Sequence, residues 1–500
     1  AQLVLIFSAS TVEFIRGWIL LHIGTRVNIS LISDYLAKLM RLPMGYFDKK
    51  MTGDLLQRMG DHTRIQDYLT NSTLNVLFGV FNIIIFTLIL LFYNLTIFLI
   101  FVVGSILYFS WVSLFMDKRA TLDHKNFAQQ SANQSNVIQL ITGMQEIKLN
   151  ACEQQKRWEW ERIQAKLFKL RIKGLALSQY QDSGAIFINQ TKNLIITALV
   201  AKFVIDGQMT LGMMLSVQYI LGQLNSPIDH LIHFYRESQD AKLSMERLSE
   251  VHDKAAEDEN TSGSLIDDIP DNQSIHIRNM SFAYDTTSAG KPVLRNINLH
   301  IPAGRQTAIV GLSGSGKTTL LKLLLGFYQP QHGEILLGDT NLSAYNHRAW
   351  RKKCGVVMQD GFIFTDSIAG NIAPGEEEIN KTQLLHAVNT ANIRQFIESL
   401  SSQYDTKIGA EGHALSQGQK QRILIARAIY KHPAYLFFDE ATNALDTHNE
   451  KIIMDHLEQF FQGRTSVVIA HRLSTVKNAD QIVVLEDGEI VEIGNHQSLT

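Results

Sequence analysis

Two runs without a single charge dominate the first half of the chain. They are residues 73–92, TLNVLFGVFNIIIFTLILLF, and residues 95–116, LTIFLIFVVGSILYFSWVSLFM. A helix needs about 20 apolar residues to cross the hydrocarbon of a bilayer, so both predict spans. A very short turn at Tyr93-Asn94 joins them into a hairpin. Residues 1–23 are also mostly apolar, but enclose Glu13 and Arg16, which are three apart and share a helix face. They read as a mutually neutralised pair, although intramembrane charges are also a common mark of function. Residues 193–205 and 211–224 are apolar but short, with Lys192 and Lys202 flanking or interrupting the first. On hydropathy alone neither is a convincing span. The stretch 117–182 has few glycines, no proline and a charged amphipathic pattern, which predicts helices running well beyond the membrane. Leu42-Pro43-Met44-Gly45-Tyr46-Phe47-Asp48 breaks the preceding connection into two helices joined by an elbow.

From Ile275 the pattern changes to short β-rich runs alternating with helical ones, which predicts an α/β domain. Between the halves, KAAEDENTSGSLIDDIPDNQ at 254–273 is acidic, polar and nearly without large apolar side chains. It reads as a solvated linker. The expected division is therefore a membrane domain over 1–253, a linker over 254–273 and a second domain over 274–500.

Charge sharpens the division. Residues 1–250 carry 24 Lys and Arg against 19 Asp and Glu, whereas residues 251–500 carry 22 against 29. The mean hydropathy of −0.01 over 500 residues thus averages a basic, apolar half with an acidic one. With 45% hydrophobic residues the chain is no disordered polymer. With only Cys152 and Cys354 it is no disulfide scaffold either, and both read as reduced thiols facing a cytoplasm. Seven Lys and Arg lie between residues 24 and 72 and eleven between 117 and 182, while the turn at 93–94 has none. The positive-inside rule puts both long connections in the cytoplasm and residue 1 outside. An external start, five spans and no initiator Met give the expectation that a further span precedes residue 1.

The strongest chemical signal is Gly311-Leu312-Ser313-Gly314-Ser315-Gly316-Lys317-Thr318-Thr319, a full match to G-x-x-x-x-G-K-[ST]. It follows a strand-like run, Gln306 to Val310, and opens an apolar helix expected over Thr318 to Phe327. Glycines let backbone N–H groups surround phosphates, and the helix N-terminus adds a favourable dipole. Lys317 is suited to the β/γ-phosphates and Thr318 to Mg²⁺. Downstream, Tyr435-Leu436-Phe437-Phe438-Asp439-Glu440 is an apolar strand ending in two acids. Asp439 there would enter the Mg²⁺ shell, and Glu440 would polarise an attacking water.

Between them stands Leu415-Ser416-Gln417-Gly418-Gln419-Lys420-Gln421-Arg422. The order P-loop, L-S-x-G-Q, then D-E-A-T-x-A-L-D, then a lone His resembles the ATP-binding cassette of ABC transporters, and the resemblance extends over essentially all 500 residues. It implies an all-α transmembrane domain, with five of six spans present, joined to an α/β P-loop cassette. Tyr284 would stack on adenine, Gln359 would stand near Mg²⁺ and the water, and His471 would contact the γ-phosphate. Asn443-Ala444-Leu445-Asp446 would form the segment that touches the partner's site. Ser416, Gly418 and Gln419 would meet the γ-phosphate bound to a second cassette, so the resemblance implies a dimer with ATP and Mg²⁺ as cofactors. Gln417 replaces the first glycine of the usual L-S-G-G-Q. In Thr406-Lys407-Ile408-Gly409-Ala410-Glu411-Gly412 the acid expected at Ala410 comes one residue late.

The membrane half resembles the exporter subclass. Its elbows are Leu42-Pro43 through Tyr46-Phe47 with Thr52-Gly53-Asp54, and Gly143 to Lys148 with Glu153 and Trp158. Asp206 to Gly212 and Ser226-Pro227-Ile228 mark the last span. The phrases LSQGQKQRILIARAIYKHP and YLFFDEATNALD look most like the bacterial peptide and bacteriocin secretion branch, whose members often carry an N-terminal cysteine peptidase. The implied function is ATP-driven export of a peptide by alternating access, in the inner membrane with the ATPase cytoplasmic. A lipid or drug exporter has the same architecture. An ATP-gated channel usually has a degraded site, against which Glu440 and His471 argue. The uncharged hairpin and the acidic second half oppose a soluble ATPase acting on nucleic acid.

Overall fold

A computed structural model describes residues 2–259, 265–284, 291–409, 412–440, 447–470 and 476–499. His471, Ala410 and Glu411, the segment 443–446 and the Glu13 side chain lie outside the described residues. The chain divides into two compact units, one of residues 1–42 and 46–254, the other of 255–500 with 43–45.

Helices joined by short turns make up the described residues of the first unit, with no strand among them. Its helices are α1 (Gln2–Leu39), α2 (Met44–Lys49), α3 (Thr52–Asp67), α4 (Thr73–Tyr93), α5 (Leu95–Ser113), α6 (Met116–Thr142), α7 (Met144–Leu149), α8 (Glu153–Ile205) and α9 (Leu211–His252). A single π-turn, Tyr68–Ser72, makes α3 and α4 continuous. Asn94 alone makes the hairpin turn: its backbone is extended, and its side chain accepts from Thr96 N and Ile97 N to cap α5. Among the described residues, three helical stretches, 52–93, 95–142 and 153–205, are long and apolar enough to cross a membrane.

The short apolar stretch 193–205 turns out to be the end of a 53-residue helix. Hydropathy undercounts it because Asn189, Lys192 and Asn193 interrupt the apolar run, and Asn189 Oδ1, Asn193 Oδ1 and Lys192 Nζ are buried without a hydrogen-bond partner among the described residues. Asn189 and Asn193 share Asn225 Oδ1 at 3.4 Å, and Gln218 donates to Thr197 at 2.8 Å. The stretch 211–224 likewise continues as α9, through Pro227. The apolar core between these helices includes Ile97, Phe101, Val112, Ile196, Val200 and Leu224.

Beyond the apolar stretches, α3, α6 and α9 are joined by charge. The Arg247 guanidinium, 6% exposed, donates to both oxygens of Asp61, 2% exposed, at 2.7 and 3.3 Å, and to Asp123 at 3.0 Å. Arg58 donates to the Arg247 carbonyl and, at 2.7 Å, to Glu250. Burial pushes the Asp123 carboxyl up, but Arg64 and Arg247 outweigh it and hold it below its ordinary value.

The second unit runs in chain order as β1 (Ile275–Phe282), β2 (Leu294–Ile301), β3 (Gln306–Val310), α10 (Lys317–Leu324), β4 (His332–Leu337), β5 (Thr340–Asn341), α11 (His347–Lys353), β6 (Cys354–Val357) and β7 (Asp366–Ser367). It continues with α12 (Ile368–Ile372), α13 (Lys381–Thr390), α14 (Arg394–Ser399), β8 (Lys407–Ile408), α15 (Gln417–Tyr430), β9 (Tyr435–Asp439), α16 (Thr447–Phe461), β10 (Thr465–Ile469), β11 (Gln481–Glu486) and β12 (Glu489–Gly494). A six-stranded sheet has the order β12-β11-β3-β10-β9-β6, parallel except for β12, and an antiparallel sheet has the order β2-β1-β4-β5. The helix after the P-loop is shorter than expected. It ends at Leu324 because Gly326 turns left-handed at φ 67° and lets Phe327 N close back on Lys322 O.

Part of the expected linker is anchored on this unit. Glu257 takes both arms of Arg351, Ile266 pairs with the backbone of 344–346, and Ile269 is buried. Cys152 and Cys354 are both free thiols, and full burial pushes Cys354 well above its ordinary value, so it stays protonated.

Breaking a buried charge pair by removing one partner costs about 3–5 kcal/mol. Arg247→Met should therefore lower the unfolding midpoint of the detergent-solubilised chain by several degrees. Adding Asp61→Leu should recover part of the loss, since the stranded carboxylate goes with it. An unshifted midpoint in the single variant would contradict a structural role for the pair.

Candidate functional site

The site is built on the edge of the large sheet where its parallel strands end. β10 lies between β3 and β9, with Ile469 opposite both Ile309 and Asp439. The loop after β3 and the acids at the end of β9 therefore emerge one strand apart, on the same edge. This is the region where open α/β sheets place their ligands. Residue 471 follows two positions after the end of β10.

The loop 311–316 owes its shape to three glycines at positive φ: Gly311 at 155°, Gly314 at 84° and Gly316 at 102°. A Cβ on Gly311 would stand 2.0 Å from the Leu485 carbonyl oxygen, and one on Gly316 would meet Leu294 at 2.7 Å. At Gly314 the space is open and only the backbone conformation is restrictive. Lys317, 6% exposed, donates from Nζ to the carbonyls of Gly311 and Leu312, both at 2.8 Å, so the ammonium lies at the centre of the loop. Ser313 is exposed, whereas the buried Ser315 Oγ has no hydrogen-bond partner among the described residues.

Thr318 and Asp439 meet directly. Thr318 Oγ1 donates to Asp439 Oδ2 at 2.8 Å, and Asp439 is 1% exposed at the end of a strand buried throughout. A hydroxyl and a carboxylate side by side are oxygen donors of the kind a small hard cation takes. The next residue, Glu440, stands at φ 50°, an uncommon conformation for a non-glycine and one that costs of order 1–3 kcal/mol. Two contacts hold it there: Glu440 N donates to Ile469 O at 3.3 Å, and Gln421 Nε2 donates to Glu440 O at 2.9 Å. Its carboxylate accepts from Gln359 Nε2 at 3.1 Å. Gln359, Glu440, Asp439 and Thr318 thus form a chain of neighbours from the end of β6 to the P-loop.

Tyr284 belongs to the same neighbourhood. It is 40% exposed, its hydroxyl is 3.2 Å from Thr319 Oγ1, and its ring meets Phe282 and Tyr328 edge-on at 5.0 and 5.2 Å. An aromatic face held beside a phosphate-type loop is suited to a base.

Ser416, Gly418 and Gln419 are placed differently. Ser416 caps α15 in a reciprocal box: its hydroxyl accepts from Gln419 N at 3.2 Å while Gln419 Oε1 accepts from Ser416 N at 2.8 Å. These three share no hydrogen bond with residues 311–319 among the described residues. They present a capped, exposed helix N-terminus, which favours negative charge.

Two further residues join the site without having been singled out in the sequence. Gln421 reaches the Glu440 backbone from one turn inside α15. Arg427 donates from the same helix to the carbonyls of Asn371 and Phe362 at 2.7 and 2.9 Å, fixing the segment that follows Gln359. Burial pulls its guanidinium below the ordinary value.

Comparison with known proteins adds the following. The sequence model of ABC transporters matches residues 294–443, and that of the ABC transporter transmembrane region matches residues 1–228. The alpha-hemolysin translocation ATP-binding protein HlyB of Proteus vulgaris is 34% identical over 492 residues, covering 98% of this chain and 68% of that protein. The leukotoxin export ATP-binding protein LtxB of Aggregatibacter actinomycetemcomitans is 35% identical over 489 residues, covering 97% and 68%. Among solved structures, a bacterial Atm1-family ABC exporter with ATP bound aligns at a TM-score of 0.91 with 26% identity, over 99% of this chain and 86% of that one.

The glycine geometry separates two substitutions that look alike in sequence. Gly311→Ala forces a backbone collision and should abolish binding of a fluorescent ATP analogue. Gly314→Ala pays only about 1–2 kcal/mol of conformational strain and should weaken binding roughly tenfold. Equal losses in a titration of the two variants would contradict the packing around Gly311.

Proposed function

The chain belongs to the ABC transporters, an ATP-binding, membrane-spanning family whose ATPase drives transport, and from that premise we propose that it exports a polypeptide as a dimer, by alternating access. The observation that carries the cargo assignment is the similarity, along nearly the whole chain, to proteins named for translocation of alpha-hemolysin and leukotoxin. Likeness to the Atm1-family exporter supports export in general and says less about cargo.

In this reading the residues divide the work of one hydrolytic cycle. The loop 311–316 with Ser313 and Ser315 surrounds the ATP phosphates with N–H and hydroxyl donors. Lys317 turns its ammonium from the Gly311 and Leu312 carbonyls to the β/γ-phosphates, exchanging neutral acceptors for charged ones. Thr319 and Tyr284 hold the adenosine end in register. Mg²⁺, when bound, neutralises charge between the phosphates, and Thr318, Asp439 and Gln359 are the oxygen donors suited to hold it. Glu440 accepts a hydrogen bond from the attacking water and draws off positive charge as the water becomes a nucleophile. Gln359, already bonded to that carboxylate, orients it. His471 is assigned the γ-phosphate contact.

Ser416, Gly418 and Gln419 close the site of a second copy, which explains why they stand apart from residues 311–319 of their own chain. ATP then drives motion because it binds the closed pair better than the open one. A ligand without that preference shifts nothing. The side of the membrane carrying the charged helix extensions is assigned to the cytoplasm, in the bacterial inner membrane.

Two measurements test this. Glu440→Gln should keep ATP affinity within a few-fold and lose at least about a hundredfold in turnover. Undiminished hydrolysis would remove Glu440 from its role. In proteoliposomes, wild-type hydrolysis should be stimulated by polypeptide segments bearing a leader or export signal. Stimulation by lipids or hydrophobic drugs, and by no peptide, would replace the polypeptide reading with the lipid or drug one.

A further inference from the structure

A polar cavity of about 320 Å³ lies within the first unit, walled by α3, α6, α8 and α9. Its charged and amide groups include Arg64, Arg119, Arg171, Asp123, Asp240 and Asn126. We propose that this cavity docks an acidic segment of polypeptide, with the Arg171 guanidinium taking a carboxylate and Asn126 taking a backbone N–H. The proposal rests on the reading that the cargo is a polypeptide, and it names the part of such a cargo that is recognised.

The hydrogen-bonding account of the cavity leads to that ligand. Both of its carboxylates are already engaged. Asp240 accepts from Arg119 at 2.8 Å, and Asp123 accepts from Arg64 at 3.1 Å and from Arg247 at 3.0 Å. Asp123 is held ionised by those neighbours, so neither acid has reason to recruit a cation. The third guanidinium, on Arg171, is exposed and makes no ion pair or hydrogen bond among the described residues. Asn126 Oδ1 is buried and has no hydrogen-bond partner there. A guest therefore meets a spare cationic fork and a spare acceptor. Guanidinium forks match carboxylates bidentately, and an amide oxygen needs an N–H. An extended peptide with an Asp or Glu side chain supplies both within a few ångströms. Leu122, Leu170 and Leu177 line the remaining wall, which accommodates apolar neighbours of the acid.

Depth argues against a lipid headgroup as the guest. The uncharged run ends at Met116, and Asn126 lies about 15 Å further along α6 at 1.5 Å per residue. The headgroup layer on one side of a bilayer is only roughly 5–8 Å thick. The inner part of the cavity is therefore beyond the reach of an anchored phosphate and open to a chain arriving from the aqueous side.

The full chain in phosphatidylcholine nanodiscs provides the test. Three fluorescein-labelled twelve-residue peptides of one framework, carrying four Asp, four Asn or four Lys, are titrated by anisotropy, with ATPase rate read in parallel. The Asp peptide should bind tightest. Arg171→Glu should weaken it at least about tenfold, Arg171→Lys less, and Asn126→Leu should weaken all three peptides alike, with basal hydrolysis unchanged in each. If all three peptides bind equally and Arg171→Glu changes nothing, the cavity assignment is overturned while the polypeptide reading stands. If phosphatidylglycerol in the nanodisc displaces the Asp peptide and binds in an Arg171-dependent way, a headgroup site replaces the peptide one. If no peptide binds or stimulates an otherwise active ATPase, both the cavity assignment and the polypeptide reading fall.

Discussion

The second unit turns on one hydrogen bond, from Thr318 Oγ1 to Asp439 Oδ2 at 2.8 Å. It joins the first residues of α10 to the end of β9 across the strand that separates β3 from β9. Everything with chemical capacity is measured from it. Lys317 is one residue to one side, inside the loop, and Glu440 is one residue to the other, bonded to Gln359. The bond depends on register: Ile469 of β10 sits opposite both Ile309 and Asp439. A slip of one residue in any of these strands would turn alternate side chains to the other face. The strands QTAIV, YLFFD and TSVVI are buried almost throughout, which keeps all three in the interior of the sheet.

The first unit solves a different problem. Its helices leave the apolar layer and continue as charged sequence, where hydrophobic burial alone no longer holds them in register. Arg247, Asp61, Asp123 and Arg58 do so instead, with bonds whose partners are more than a hundred residues apart in sequence for Arg247 to Asp61 and Asp123. Such pairs add little net stability over apolar packing, but they tolerate only one alignment, since a stranded buried charge is costly. That intolerance suits an element whose position must be defined while it protrudes from the membrane. It also explains the cavity beside it: guanidiniums and carboxylates matched in pairs leave Arg171 over.

The chemistry was more legible in the sequence than the membrane architecture, for a physical reason. A phosphate loop needs glycine where backbone meets backbone, as the Leu485 carbonyl opposite Gly311 illustrates, and that need is local in sequence. Thr318, Asp439, Gln359 and Glu440 could be named because short motifs carry them, and the structure brings these four into one row. Gln421 could not, because its task is to hold the Glu440 carbonyl nineteen residues away, which no local pattern records. The end of α8 was hard to see as part of a span because Asn189, Lys192 and Asn193 lie among its apolar residues, and hydropathy charges each its full cost. The linker was read as solvated from its acids, whereas Glu257 and Ile269 anchor it to the second unit.

Gln421 also gives the separated L-S-x-G-Q segment a mechanical consequence. The helix that begins at Ser416 is the helix whose Gln421 side chain holds the strained Glu440 backbone. Within the dimer reading, the N-terminus of α15 engages a phosphate in the partner's site, while one turn further on the same helix fixes the base of its own site. A rigid helix of 14 residues cannot shift at one end without moving the other. A displacement of a few tenths of an ångström is enough to lengthen the 2.9 Å bond, which weakens one of the holds on a residue at φ 50°. In that reading α15 is the element through which occupation of the partner's site reaches Glu440.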